Sequence, residues 1–346
     1  MTKKVLLFGG AGFIGHHLAM SYKAQGFETI IYDSFQINNL VTTFNTDAGL
    51  QEPKLYRSIL DERLHLLNDQ GVQLKVFDLK NKHEVRAIIE EENPDIIVLL
   101  AAVAHASRSN KDPDEAFENG VLPLSNTLDA LRGNKKTRLV YMSTSTIYGH
   151  FTKDIVHEDD SVNPFGIYAT FKYMGEKMVK CYSDIYDINY SIIRPSALYG
   201  ERCISRRVSQ IFIESAIAKR DLVVSADEDE KLDFTYIKDL VDAIVAVSDS
   251  KNGENETFNI TYGNARPIYM LTDILKEYFP KLTIHKQERN EFLPKRGTLS
   301  NAKLIDLIGY KPKYCLEDGY RHYIEWYIKF IEKKQITISK VPQANE

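Results

Sequence analysis

Over the first part of the chain, short unbroken apolar runs alternate with stretches in which apolar positions recur at helical spacing. The runs lie at about 4–9, 28–33, 73–77, 95–100, 137–143 and 189–194, and they predict six strands. Ile96-Ile97-Val98-Leu99-Leu100-Ala101-Ala102 has no polar interruption, the pattern of a central strand covered on both faces. Such alternation specifies a parallel sheet flanked by helices. The connection 34–71 is long. It has a helical pattern around Leu55–Asn68 and a polar, loop-like start at Asn38-Asn39, Thr42-Thr43 and Asn45. Beyond about residue 196 the alternation weakens. The expected fold is α/β: a doubly wound Rossmann domain from 1–195 plus 235–262, and a smaller, interleaved C-terminal α/β domain from 196–234 plus 263–338. A disordered tail is expected at 339–346.

Composition narrows the function. With 346 residues, 43% hydrophobic and 27% charged, the chain has ample material for a core. A net charge of −4 provides no broad basic field, so neither nucleic acid nor an anionic membrane is an expected partner. No apolar run approaches the roughly 20 residues needed to cross a bilayer. Val5-Leu6-Leu7-Phe8 stops at Gly9-Gly10, too soon for a signal-peptide core. Cys181, Cys203 and Cys315 are odd in number, far apart and without metal-ligand spacing. A reduced, cytoplasmic protein without a metal is expected.

The first strand runs into Gly9-Gly10-Ala11-Gly12-Phe13-Ile14-Gly15, followed by a helical His16–Gln25. Gly10, Gly12 and Gly15 match G-x-G-x-x-G, and Gly9 extends the pattern. One glycine makes the tight turn, one lets a pyrophosphate approach the backbone, and one allows close helix–strand contact. The helix start supplies free N–H donors and partial positive charge. The second strand ends on Asp33, which can accept from the adenosine ribose hydroxyls and would repel a 2′-phosphate. No arginine follows in Ser34-Phe35-Gln36. NAD is therefore favoured over NADP.

Tyr168 and Lys172 lie four apart in a helical stretch, hence on one face. A free tyrosine, with a pKa of roughly 10, is a poor base at neutral pH. A neighbouring ammonium would lower that value and let Tyr168 take a hydroxyl proton. Upstream, the strand Leu139-Val140-Tyr141-Met142 runs into Ser143-Thr144-Ser145-Thr146-Ile147-Tyr148-Gly149. Ligands of doubly wound sheets bind beyond the carboxyl ends of strands, which places Thr144 to bond the reacting oxygen. His105 and His150, near strand ends, read either as site-lining or as structural. Ser109 reads either as a sugar contact or as a cap of the helix at Asp112-Pro113. The run Asp227–Lys231 reads as a solvated loop.

These features resemble the extended short-chain dehydrogenase/reductase family of nucleotide-sugar epimerases and dehydratases. The resemblance rests on Gly9–Gly15, Asp33, Asp78-Leu79, Leu100-Ala101-Ala102, Ser143–Gly149, Asn163-Pro164-Phe165-Gly166 and Tyr168/Lys172. It extends through Arg194–Gly200, Asp233–Leu240 and Ile308-Gly309-Tyr310-Lys311-Pro312. It implies Tyr168 as base, Lys172 on the nicotinamide ribose, and Thr144 assisting. It implies cofactor contacts at Gly9, Gly12, Phe13, Ile14, Asp33, Asp78, Leu79, Ala101, Ala102, Lys172 and Pro195. Substrate contacts are implied at Ser109, Ser145, Tyr168, Ala197, Arg206 and Arg296, and homodimerisation through helices near 114–133 and 165–183. Sugar 4,6-dehydratases carry Thr-Asp-Glu where this chain has Thr144-Ser145-Thr146, which disfavours dehydration. The resemblance therefore implies a nucleotide-sugar epimerase, most simply a 4-epimerase working through a keto-sugar, with a reductase, oxidase or dehydratase as alternatives. A non-catalytic NAD-binding regulator would not need the Tyr168/Lys172 pair. The chain departs from the family at Phe8, Leu99, Ala197 and Leu232. The last two replace residues that meet substrate, often its diphosphate, so Arg202, Arg206, Arg207 and Arg296 become candidates for that contact.

Overall fold

All six apolar runs become strands of one parallel sheet: β1 (Lys4–Phe8), β2 (Glu28–Asp33), β3 (Gln73–Val76), β4 (Ile96–Leu99), β5 (Arg138–Met142) and β6 (Tyr190–Pro195). A seventh, β7 (Glu256–Ile260), adds to the edge. The computed structural model describes residues 2–37, 39–44, 52–225, 230–287 and 294–339. The strand order is β3-β2-β1-β4-β5-β6-β7, and every neighbouring pair is parallel. Winding reverses between β1 and β4, so a crevice opens at their carboxyl ends.

Both faces of the sheet are buried, as the unbroken runs require. On β1, Val5 and Leu7 enter one apolar cluster while Leu6 and Phe8 enter the other. Val98 and its neighbours Ile97 and Leu99 divide in the same way. Each such side chain contributes about 1.5–3 kcal/mol on full burial. The covering helices are α1 (Phe13–Ala24), α2 (Pro53–Asp69), α3 (Lys82–Glu92), α4 (Ala106–Lys111), α5 (Leu122–Ala130), α6 (Ile167–Tyr186), α7 (Val208–Ile217), α8 (Ile237–Asp249), α9 (Tyr269–Tyr278) and α10 (Leu316–Lys334). The stretch before α5 is broken into a short helix, Pro113–Ala116, and a π-helical turn, Phe117–Val121. Apart from β7, the strands after β6 form two-stranded pairs, such as Leu198–Tyr199 with Thr235–Tyr236. Their core, rich in tyrosine (Tyr199, Tyr236, Tyr320, Tyr323, Tyr327), is continuous with the cluster on the α1 face of the sheet.

Helix α2 fills the long connection as its periodicity predicted, and its N-terminal end is tied to residues late in the chain. Tyr56 Oη donates to Glu214 at 3.1 Å, and Glu52 accepts from the Ser339 amide at 3.0 Å. Ser339 is therefore anchored, contrary to the expected tail; 340–346 lie outside the described residues. The expected polar loop instead contains a helical turn, Leu40–Phe44, while Asn38 and Asn45 lie outside the described residues. The charged run also differs. Lys231 starts a short strand against Arg266-Pro267, and 227–229 are outside the described residues. Among the described residues, no helix is long and apolar enough to cross a membrane.

Candidate active site

The glycine loop joins β1 to α1 at the crevice. Gly9 has φ +79°, and a Cβ there would stand 2.7 Å from the Ala101 amide nitrogen. A Cβ on Gly15 would stand 2.4 Å from Gly10 Cα. These two positions are glycine so that β4 and α1 can close on the loop. Gly12 caps α1 without any side-chain bond, and its missing side chain leaves the helix N-terminus open to a ligand. Asp33 fastens the loop: one oxygen accepts from Ala11 N at 2.9 Å, the other from Phe35 N at 2.7 Å. Burial pushes the Asp33 pKa up, and these two amides, with Arg63, oppose that shift. Each carboxylate oxygen keeps a lone pair for a hydroxyl.

A cleft of about 1010 Å³, counted with the solvent in its mouth, lies along this loop. It is lined by Gly9, Gly12, Phe13 and Ile14 of the loop and α1, by Asp33, Asp78 and Leu79, and by Ala101 and Ala102. An open helix start, a buried acid and an apolar slot together fit a dinucleotide. Pro195 does not line the cleft. Arg63, from the middle of α2, does line it, although no motif marked it.

At Ala102 the cleft meets a smaller cavity lined by Ser109, Tyr141, Tyr168, Phe171 and Lys172. Tyr168 and Lys172 share one face of α6, as their spacing predicted. Lys172 is 8% exposed, and its Nζ donates to Met142 O at 2.6 Å, 5.1 Å from the Tyr141 ring centroid. Burial draws its pKa down to about 8, against the pull of Glu176. The expected help from Lys172 to the Tyr168 phenolate is not what dominates. Burial raises the Tyr168 pKa, and the groups opposing it are Arg207, a hydrogen bond with Thr144, and Arg296. Thr144 Oγ1 accepts from Thr146 N at 3.2 Å. The Ser145 hydroxyl is buried with no hydrogen-bond partner among the described residues.

The remaining sequence candidates separate. Arg296 is buried at its charged end. Burial lowers its pKa to about 10, with Arg207 adding to that and Tyr168 and Glu230 opposing. Arg207 lines the cleft and donates to Ala104 O at 3.2 Å. Arg206 does not line the cleft; it sits among Glu52, Tyr56 and Glu214. Ala197, at φ +35°, packs on the core and lines neither cavity. Ser109 donates to His105 O at 3.0 Å within its own helix, and Asp112 caps the following one. His150 accepts from Lys295 N at 3.1 Å and lines neither cavity. Arg63 gave no sequence signal, since it reaches the cleft from an element remote in the chain, whereas Arg207 was one of the four candidate arginines and does line the cleft.

Comparison with known proteins agrees with this geometry. The model of the NAD dependent epimerase/dehydratase family matches residues 5–261. A putative UDP-glucose 4-epimerase of Methanocaldococcus jannaschii is 25% identical over 93% of this chain and 97% of its own length. A UDP-glucuronate 4-epimerase of Arabidopsis thaliana is 23% identical over 94% of this chain and 75% of its own. Among solved structures, the UDP-glucuronic acid 4-epimerase of Bacillus cereus, in complex with UDP-glucuronic acid and NAD, superposes with a TM-score of 0.81. It is 24% identical and covers 94% of this chain and 99% of that one. A glycine loop open to pyrophosphate, an acid at the end of β2, and a match across most of the chain lead to one conclusion: this protein is an enzyme of the NAD-dependent epimerase/dehydratase family, with NAD as its cofactor.

Proposed function

We propose that the protein is a nucleotide-sugar 4-epimerase. The observation that supports this most is the hydroxyl triplet Thr144-Ser145-Thr146 beyond β5. Elimination of water needs an acid and a base at this place, and hydroxyls are poor substitutes. Epimerisation needs only one acid–base group that removes and returns the same proton. The names of similar proteins, several of them 4-epimerases, point the same way.

NAD, when bound, supplies a reversible acceptor for the hydrogen and electron pair that leave the sugar carbon. Tyr168 takes the hydroxyl proton as the carbon becomes a ketone, and holds it while the ketone turns. It gives the proton back when the carbon is reduced from the other face. Thr144 bonds the reacting oxygen and, with Arg207 and Arg296, offsets the burial that disfavours the phenolate. Lys172, tethered to Met142 O, holds the nicotinamide ribose. Arg207 and Arg296 receive an anionic group of the substrate, and the unpartnered Ser145 hydroxyl takes a sugar oxygen. Residues 196–234 and 263–338 form the substrate-binding part. The protein is a homodimer through the helices near 114–133 and 165–183, stretches in which Phe117 and Phe165 are exposed.

The test is chromatography with mass spectrometry on UDP-, GDP-, CDP- and dTDP-sugars incubated with purified protein and no added cofactor. A new peak of unchanged mass is expected. Loss of water, or a change of two hydrogens that appears only when NAD or NADH is added, would replace the epimerase reading. Sedimentation of wild type against Phe117→Asp checks the dimer.

A further inference from the structure

The first turn of α1 carries two adjacent buried histidines. His16 is fully enclosed and His17 nearly so, with ring centroids 4.0 Å apart. Against them lies Arg202, at φ +62° in the turn after Leu198–Tyr199. Hydrogen-bond chemistry defines the state of all three. His16 Nδ1 is 2.9 Å from Gly12 O, an acceptor only, so Nδ1 bears the proton. His16 Nε2 then accepts from Arg202 Nε at 3.0 Å. His17 has the opposite tautomer: Nε2 donates to Glu201 O at 3.0 Å, so Nδ1 is the ring nitrogen left to accept from Arg202 Nη2, which lies 3.3 Å from Nδ1 and 3.4 Å from Nε2. A guanidinium can only donate, so this arrangement requires both imidazoles to be neutral.

Arg63 completes the connection. Its Nε donates to Arg202 O at 3.1 Å, as does Nη2, and Nη1 donates to Ala11 O at 3.5 Å. Contacts therefore run from Ala11 and Gly12 in the glycine loop, through Arg63 and the histidines, to Arg202. Just beyond Arg202, Ile204 and Ser205 form part of the cleft wall.

We propose that Arg63, Arg202, His16 and His17 form a strut that holds the 200–205 segment against the glycine loop and sets how long NAD stays bound, and that it opens when the histidines gain protons. Positive charge dominates their surroundings. Arg63 comes from α2, Arg202 from the turn and Lys238 from α8. Glu62 is 3.8 Å from Arg202 Nη1, and one Glu201 oxygen is taken by Tyr236 Oη. Asp33, Cys203 and Tyr323 face Arg63, and the Trp326 ring lies 6.0 Å from the Arg202 guanidinium. Burial first, then this positive field, holds both histidines well below their ordinary value. Once released, they titrate near 6.5. The opened state therefore binds more protons than the closed one as pH falls below about 6.5, and acid favours opening. Above that pH there is no such drive.

The inference rests on NAD as cofactor and not on the epimerase reading, so its test contains no sugar. Holoprotein is chased with isotopically labelled NAD at pH 7.5 and 5.5, and exchange is read by mass spectrometry. Each proton taken up over the unit below the histidine pKa is worth up to about tenfold, so wild type is expected to exchange about tenfold faster at pH 5.5 if one histidine is protonated on opening and up to about a hundredfold faster if both are. The double variant His16→Asn/His17→Gln keeps each required donor without titrating, and is expected to lose most of that ratio. Arg202→Met is expected to exchange fast at both pH values. If the methionine variant fails to fold, Arg202→Lys, which loses the fork, serves the same comparison. An equal pH ratio in wild type and double variant, or wild-type exchange in the Arg202 variant, overturns the proposal.

Discussion

At the scale of single residues, the proposed function gives proton chemistry to Tyr168 and cofactor choice to Asp33. Tyr168→Phe is expected to retain NAD and lose at least about a hundredfold in turnover, the usual scale of general acid–base catalysis. Near-normal turnover would remove Tyr168 from its role. Asp33→Ala is expected to weaken NAD by about tenfold or more, since hydrogen bonds to a charged group contribute roughly 1.5–3 kcal/mol. It is also expected to narrow the gap to NADP in a binding titration. Glu176 lies beside Lys172 and raises its pKa. In Glu176→Gln that support is lost, the ammonium gives up its proton at lower pH, and the alkaline limb of kcat/KM is expected to move down in pH. An unmoved limb would mean that Lys172 does not govern it. Tyr168, Lys172 and Asp33 stood out in the sequence because their pattern is spelled out over a few neighbouring positions; Glu176 did not, since its place beside Lys172 is seen only in the structure. Arg207 was weighed only as one of four arginines; its place beside Tyr168, and the missing approach of Arg206, depend on where the start of α7 points.

At the scale of elements, the β1–loop–α1 unit is the most demanding piece. Gly15→Ala would press a methyl to within 2.4 Å of Gly10 Cα. Overpacking of this kind costs typically about 1–3 kcal/mol, and here it also pushes the helix N-terminus away from the pyrophosphate. Denaturant unfolding and NAD titration should both register the change; a variant that matches wild type in both would refute the close approach. The six unbroken apolar strands could be read directly. β7 escaped because Glu256-Thr257-Phe258-Asn259-Ile260 interrupts its apolar positions with a fully buried asparagine. The reason for Asn259 is tertiary: its side chain accepts from Tyr148 Oη at 2.8 Å, and its amide donates to Glu158 at 2.8 Å.

At the scale of the whole molecule, the cofactor cleft is closed by parts far apart in sequence. The sheet supplies the floor, α2 contributes Arg63, and the segment after Leu198–Tyr199 supplies a wall. A ligand held this way should stabilise the entire fold. At a free concentration of 100 times its Kd, NAD is expected to add about 2.7 kcal/mol, visible as a rise in melting midpoint. NADP at the same concentration should add clearly less. Equal shifts from both would place the ribose end of the cofactor away from Asp33.

The sequence by itself determined the sheet, its glycine loop and the Tyr168/Lys172 pair. Strand burial, turn geometry and helical spacing are local properties, expressed over fewer than about twenty residues at a time. Tertiary structure alone decided which arginines lie near Tyr168, and that Lys172 is tied to the end of β5 by Met142 O. It also decided that two neutral histidines receive Arg202. Each of these depends on the field and hydrogen-bonding atoms contributed by other elements, and burial sets their strength. A linear pattern does not contain that information until the chain has closed on itself.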